Sequence, residues 1–234
     1  MFPNNLIEIE DLRFRYPKAD HDTLHIPKFH VQKGERVFLH GPSGSGKSTL
    51  LEILAGILKA QSGKAVILGK DLTQLSEGQR DQFRAEHVGY IFQSFNLIPY
   101  LSVKENIQLP VQISSARRNH LQKENMDQVI TEMCERLGIA SVLNKRVTEL
   151  SIGQQQRVAV ARALSGRPDF ILADEPTSSL DMDHRKKFLE LMFELCGQFG
   201  TTVLFVSHDR SIQDFFSRSV ALESLNIASS EKGI

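Results

Sequence analysis

Cysteine is nearly absent from this chain: its 234 residues include two, Cys134 and Cys196, and neither sits in a Cys-x-x-Cys or other metal-ligand spacing. That excludes a disulfide framework, and the two thiols read as small buried apolar groups in a reducing compartment. Long apolar runs are missing too. No stretch reaches the roughly 18 to 20 apolar residues that a spanning helix needs. The first eleven residues carry neither a basic region nor an apolar core, which predicts no secretory leader. Net charge is lacking as well, since 28 Lys and Arg balance 28 Asp and Glu. The basic footprint of a nucleic-acid-binding protein is therefore not there, and no nucleic-acid partner is expected. With 41% apolar and 24% charged residues, the composition is that of a globular chain and excludes disorder. The expectation is a cytoplasmic protein that meets a membrane only through a partner.

Alternating apolar residues predict two short antiparallel strands, at 7–9 and 12–16, ended by Pro17, and a further strand over 25–31. Residues 36–40 predict a strand that runs straight into a glycine-rich loop. Leu50, Leu51, Leu54 and Ile57 recur at helical spacing, which predicts a helix over 47–58. Beyond it come a strand at 64–68 closed by Gly69-Lys70-Asp71, a polar helix at 76–85 and a strand at 88–92. From Ser94 to Leu164 the pattern turns helical, most plainly over 122–137, and predicts a helical subdomain inserted at 94–164. Strands return at 170–173 and 202–206, on either side of an amphipathic helix over 183–199. Strand, helix and strand in that order predict an α/β core with a mostly parallel sheet, preceded by an antiparallel β subdomain.

Gly41-Pro42-Ser43-Gly44-Ser45-Gly46-Lys47-Ser48-Thr49 satisfies G-x-x-x-x-G-K-[ST] and lies between a predicted strand and a predicted helix. Three glycines let backbone N–H groups turn inward as a nest for phosphate oxygens, and the helix N-terminus adds its partial positive charge. In such a loop Lys47 neutralises the outer phosphates and the Ser48 hydroxyl ligates magnesium. A carboxylate at the end of a neighbouring apolar strand completes the metal site, and Asp174, after Phe170-Ile171-Leu172-Ala173, has that place. Glu175 follows it and is positioned to polarise a water for in-line attack. Between these stretches, Leu150-Ser151-Ile152-Gly153-Gln154-Gln155-Gln156-Arg157 puts a serine and a glycine at a helix start. By itself that is a second anion site or an ordinary N-cap.

Taken in order, phosphate loop, Leu-Ser-x-Gly-Gln and Asp-Glu strand, these residues resemble the ABC ATPases over nearly the whole chain, from Leu6 to Glu223. The resemblance implies a P-loop NTPase (RecA-like) core, a single ABC ATPase domain over residues 1–234, and ATP with Mg2+ as cofactors. It also implies roles for single residues. Gln93 resembles the Q-loop glutamine that contacts magnesium and the attacking water. Ser179-Leu180-Asp181 resembles the D-loop, which crosses a dimer interface. His208, in Val206-Ser207-His208-Asp209, resembles the switch histidine at the γ-phosphate. Tyr16 resembles the aromatic that stacks on adenine, with Phe14 on the same strand face as its rival. Ser151, Gly153 and Gln154 fall in the signature motif, which meets ATP held by a second copy. The chain departs from the family pattern at Ile152, usually glycine, with a changed rate as the implied result. It departs again at Ser224-Leu225-Asn226-Ile227, where many relatives carry an Asp-Gly hairpin, and there only the C-terminal boundary is affected.

The implied assembly is a head-to-tail homodimer with two ATP molecules sandwiched between subunits. It would drive integral-membrane permease subunits that dock near Gln93 and the start of the helical insert, joined in some systems by a periplasmic adaptor. The chain would then lie on the cytoplasmic side of the inner membrane. Gly89 to Pro99 and the Gln-Gln-Gln-Arg-Val-Ala run look most like the lipoprotein-releasing and macrolide-exporting branch, the LolD and MacB type. A cell-division type of ATPase and an amino-acid importer are the alternatives. Soluble ABC proteins of DNA or ribosomes fit less well, because neither a long coiled-coil insertion nor a second cassette is present. Two clusters are read as plain surface: His21, His25 and His30 as solvated strand positions, and Arg117-Arg118 with Lys123 as a solvated helix face.

Overall fold

The computed structural model describes residues 4–121, 125–178 and 180–228, so Ser179, and Gln122 and Lys123 at the start of the helix expected over 122–137, lie outside the described residues. The chain divides into two compact units, one from Met1–Arg84 with Thr202–Ile234, the other from Ala85–Thr201.

In the first unit, β1 (Asn5–Phe14) pairs antiparallel with β2 (Leu24–Gln32), from Ile7 opposite Val31 to Phe14 opposite Leu24. The two short strands expected at 7–9 and 12–16 are therefore one. The alternation breaks because Asp11 adopts φ 44 and the register against the next strand shifts between Glu10 and Arg13, which turns the strand without ending it. Gly63 makes that bulge fit: a Cβ there would lie 2.2 Å from the Asp11 carbonyl oxygen. Next come β3 (Arg36–His40) and α1 (Lys47–Leu54). The helix stops four residues before the expected end because Gly56 turns left-handed at φ 69 and the Arg80 Nε donates to its carbonyl at 3.1 Å. Ile57, placed on the buried face by its spacing, is 42% exposed in consequence. Then β4 (Ser62–Ile67) pairs antiparallel with β1 and forms a hairpin with β5 (Lys70–Asp71), giving the sheet order β2-β1-β4-β5. The polar helix α2 (Glu77–His87) leads out of this unit.

The second unit opens with β6 (Val88–Ile91). A run of helices follows: α3 (Val103–Ile113), α4 (Ser115–His120), α5 (Met126–Arg136) and α6 (Ile152–Leu164). Strand β7 (Phe170–Asp174) pairs parallel with β6 in the register Val88–Phe170 to Ile91–Ala173. α6 approaches β6 so closely that a Cβ on Gly89 would lie 2.4 Å from the Ala163 carbonyl oxygen. α7 (Met182–Phe199) is closed by Gly200 at φ 65, a left-handed stop that glycine adopts freely. The chain then returns to the first unit, where β8 (Thr202–Ser207) and β9 (Arg218–Ala221) both lie parallel to β3, one on each side, and a short turn, α8 (Leu222–Leu225), follows. Val37, Phe38 and Leu39 with Val203 to Val206 form the buried centre of these strands. Parallel strands joined through helices, beside an antiparallel sheet, are the α/β architecture expected. Among the described residues no helix is long and apolar enough to cross a membrane.

Two surface expectations are corrected here. Arg117 is 2% exposed, not solvated. Its Nε and Nη1 donate to the Ala85 and Ser165 carbonyls, both at 2.7 Å, and its Nη2 to the Val88 carbonyl. A guanidinium can be buried when its fork of donors meets backbone carbonyls. Burial still lowers its pKa to about 10, against the opposing pull of Asp169. Arg118 alone of that pair faces solvent. His25 is likewise buried, with its Nε2 2.8 Å from the Asp11 carboxylate, which the bulge in β1 brings under it.

Candidate functional site

β3 delivers its last residue, His40, opposite Ser207 of β8 and Ala221 of β9, and the glycine-rich loop begins one residue on. This is the carboxyl edge of parallel strands, where α/β proteins place ligands. Gly44 and Gly46 take φ values of 77 and 101, conformations that expose successive amides. Gly46 is also the N-cap of α1, without any side-chain cap, and a Cβ on it would lie 2.7 Å from Leu24 Cδ2. Lys47 is buried, and its ammonium donates to the Gly41 and Pro42 carbonyls, each at 2.9 Å. Its charge is thus held inside the loop. Ser48 is exposed on the first turn of α1, and Thr49 is buried beneath it.

Tyr16 comes to this loop: its hydroxyl is 3.1 Å from Thr49 Oγ1. Tyr16 is 40% exposed, whereas Phe14 is buried and meets its ring edge-on at 4.9 Å. The two therefore differ in what they can offer a ligand, and only Tyr16 presents a free face. His208 follows the last residue of β8 and is exposed at the same strand edge as the loop. His40 lies just below. Burial first, and the charge of Arg210 second, hold its imidazole below the ordinary value, against the pull of Glu223.

In the second unit, Gln93 and Asp174 leave the neighbouring parallel strands β6 and β7 at one edge, just past the pair Ile91–Ala173. Asp174 is half-buried, and Glu175 next to it takes φ 46, a strained conformation for a non-glycine residue. The turn after it is braced by Gln156, whose side chain is buried and donates to the Pro176 carbonyl. Ser151 caps α6. Its hydroxyl accepts from the Gln154 amide at 3.3 Å, and the Gln154 side chain accepts from the Ser151 amide at 3.1 Å, a reciprocal box. Ile152 is 58% exposed there, and a Cβ on Gly153 would meet nothing within 4 Å. Asp181 caps α7, accepting from the His184 amide at 3.0 Å and lying 2.7 Å from its ring. Those two bonds, the backbone one first, hold its carboxyl below the usual range. Ser151 and Asp181 thus bond within the first turns of their own helices.

Three supporting residues were not singled out for this by sequence. Gln156 was read only as part of a glutamine run. Asn106, wholly buried, donates to the Ile98 and Ser102 carbonyls at 3.1 and 3.0 Å and accepts from the Ile98 amide at 2.8 Å. Arg162 donates to the Phe95 and Asn96 carbonyls, both at 2.6 Å. Together the last two fix the loop that follows Gln93. Their one signal was a polar side chain among apolar neighbours on a helix.

A family profile described as ABC transporter matches residues 24–178. The ABC transporter ATP-binding protein YbbA of Escherichia coli K12, which carries the description uncharacterized, is 40% identical over 210 residues, covering 88% of this chain and 89% of its own. The lipoprotein-releasing system ATP-binding protein LolD 1 of Rhodopseudomonas palustris is 34% identical over 227 residues, covering 96% and 99%. Among solved structures, the dimeric post-hydrolysis state of the ATP-binding cassette MJ0796 bound to ADP and Pi is similar with a TM-score of 0.78 and 32% identity, over 95% of each chain.

Proposed function

Because this chain belongs to the ABC transporter family and is an ATP-hydrolysing cassette of it, we propose that it powers a separate membrane permease which exports or extracts its substrate, as a LolD- or MacB-like system does. The observation that carries the reading is Gly153. Its backbone is ordinary and its surroundings are open, so nothing among the described residues requires a glycine in the first turn of α6. Alanine there would favour the helix by about 1 kcal/mol. An exposed helix start with a glycine in its first turn lets a phosphate from a second copy approach the backbone amides. The likeness to LolD 1 supports the extracting branch.

The residues fit magnesium ATP. By their residue types, Ser48 in the first unit, and Gln93 and Asp174 in the second, would offer the hard oxygen donors that magnesium takes, as the family resemblance assigns them. Held by those oxygens, the metal would supply positive charge that neutralises the outer phosphates. The loop from Gly41 to Thr49, Pro42 apart because it has no N–H, presents its amides to the phosphate oxygens, and Lys47 exchanges two loop carbonyls for them. Tyr16 stacks on the adenine. Glu175, held by the strained turn that Gln156 braces, accepts the proton of the attacking water, and His208 holds the γ-phosphate. In a head-to-tail pair, Ser151, Gly153 and Gln154 of one copy close on the ATP in the phosphate loop of the other, with Asp181 at the seam. Closure then depends on ATP, and hydrolysis releases it. Residues 94–164 serve as the helical insert on which the permease docks, and the chain sits peripherally on the cytoplasmic side of the inner membrane.

The test is Glu175→Gln. Turnover should fall by at least about a hundredfold while ATP binding persists and the pair stays closed. Tagged Glu175→Gln protein, pulled from detergent-solubilised membranes with ATP and magnesium, should bring a permease with few spanning helices and a large extracytoplasmic domain. Recovery of soluble proteins or DNA alone would overturn the transporter reading.

A further inference from the structure

The C-terminal turn straddles the phosphate loop. β9 ends at Ala221 opposite His40, so α8 starts level with the point where β3 becomes Gly41. Leu222 is fully buried there, and a Cβ on Gly41 would lie 3.6 Å from its Cβ. One turn later comes Asn226, 2% exposed, its amide donating to the Leu222 carbonyl at 2.7 Å. Its side chain joins three segments. Nδ2 donates to the Thr23 carbonyl at 3.0 Å and to the Ser45 carbonyl at 3.3 Å. Oδ1 accepts from the His25 amide at 2.8 Å and from the Ala228 amide at 3.2 Å. Both donors and both acceptor sites of the carboxamide are used, which fixes its orientation.

The bond to Ser45 matters for the loop's chemistry. In a planar trans peptide the carbonyl and the N–H point in opposite directions. Drawing the Ser45 carbonyl toward Asn226 therefore aims the next amide, that of Gly46, away from Asn226. That peptide plane turns about ψ of Ser45 and φ of Gly46, and Gly46, at φ 101, has no Cβ to restrict its side of the rotation. An outside tether is what selects one orientation. We propose that Asn226 is a positioning residue for phosphate binding: it clamps the Ser45–Gly46 peptide so that the Gly46 amide faces the phosphate, and couples the C-terminal turn to the nucleotide. This rests on the phosphate loop being the nucleotide site. It also gives a role to the stretch where the chain leaves the family pattern.

The test is a titration with MgATP and MgADP, together with steady-state hydrolysis and thermal melting, of Asn226→Asp, Asn226→Ala and Lys47→Ala. Asn226→Asp keeps both acceptors and loses both donors. It should bind nucleotide about tenfold more weakly, the worth of one hydrogen bond to a charged group, with KM raised by the same factor and kcat within about twofold. A residue that only stabilised the fold would lower the melting temperature and leave KM unchanged below it, and that result overturns the proposal. Lys47→Ala separates the premise from the inference: if it binds nucleotide as the wild type does, the loop is not the site and both readings fall. Should neither Asn226 variant fold, hydrogen exchange on the intact protein decides. MgADP should slow exchange at 222–228 together with 43–48, and slowing confined to the loop overturns the coupling.

Discussion

Two helices of this chain open at segments read for phosphate, and their first turns are completed differently. α1 starts from Gly46, left-handed and without a side-chain cap, where any Cβ would strain the backbone and force Leu24 to shift. α6 starts from Ser151, which closes a box with Gln154, and its glycine has open space around it. The first glycine answers to the chain's own interior. Around the second, no atom of the described residues lies within 4 Å of where a Cβ would sit, which is the room that the proposed encounter with a second copy would use. The same residue type near two helix starts thus sits in two different settings, one packed against its own unit and one open to its surroundings.

The largest expected effect tests the first start. Gly46→Ala should weaken MgATP binding by at least about a hundredfold and destabilise the protein by about 1–3 kcal/mol, from the positive φ and the clash with Leu24. Titration and melting check both, and a variant that bound normally would erase the difference between the two glycines. Gly153→Ala should do the reverse: melting unchanged or raised by up to about 1 kcal/mol, nucleotide still bound, and turnover cut about tenfold through weaker pairing. Sedimentation with MgATP in the Glu175→Gln background would show the lost pairing directly. Ser151→Ala removes the cap that α6 supplies for itself and should cost about 1 kcal/mol in urea unfolding. No comparable loss is open to α1, which has no cap to remove.

The smallest effect lies beside the first start. His40 has its pKa lowered in the folded protein from 6.5, so the unfolded chain binds its proton more readily. Its contribution to stability is complete above that ordinary value and is lost as pH falls through the lowered folded one. Melting temperature should therefore drop between pH 7 and pH 5, and His40→Gln should make the drop shallower. An equal slope in both proteins would remove His40 from the account.

The glycine-rich loop, β3 before it and the start of α6 were legible because each is written locally, in glycine spacing, a short apolar run and a serine and a glycine ahead of a helical pattern. What was missed depends on residues far apart. The early end of α1 needs Arg80 above Gly56. The unity of β1 shows only when β2 and β4 pair along both its halves. Arg117 looked like surface because the carbonyls that receive it come from Ala85, Val88 and Ser165. His25 and Asn226 bond across 201 positions, a separation at which no local pattern speaks. Tyr16 and Phe14 were equivalent by alternation, and the packed sheet buries one and exposes the other.

The two cysteines give the molecule a built-in chemical clock. Both are buried, burial pushes the Cys134 thiol up to about 12, and both belong to the unit formed by Ala85–Thr201. At neutral pH a thiol-labelling reagent therefore waits for that unit to open. The other unit, with the phosphate loop, carries no thiol at all, so the rate of labelling times the opening of one half of the chain, and how far nucleotide slows it measures how strongly the two halves are linked.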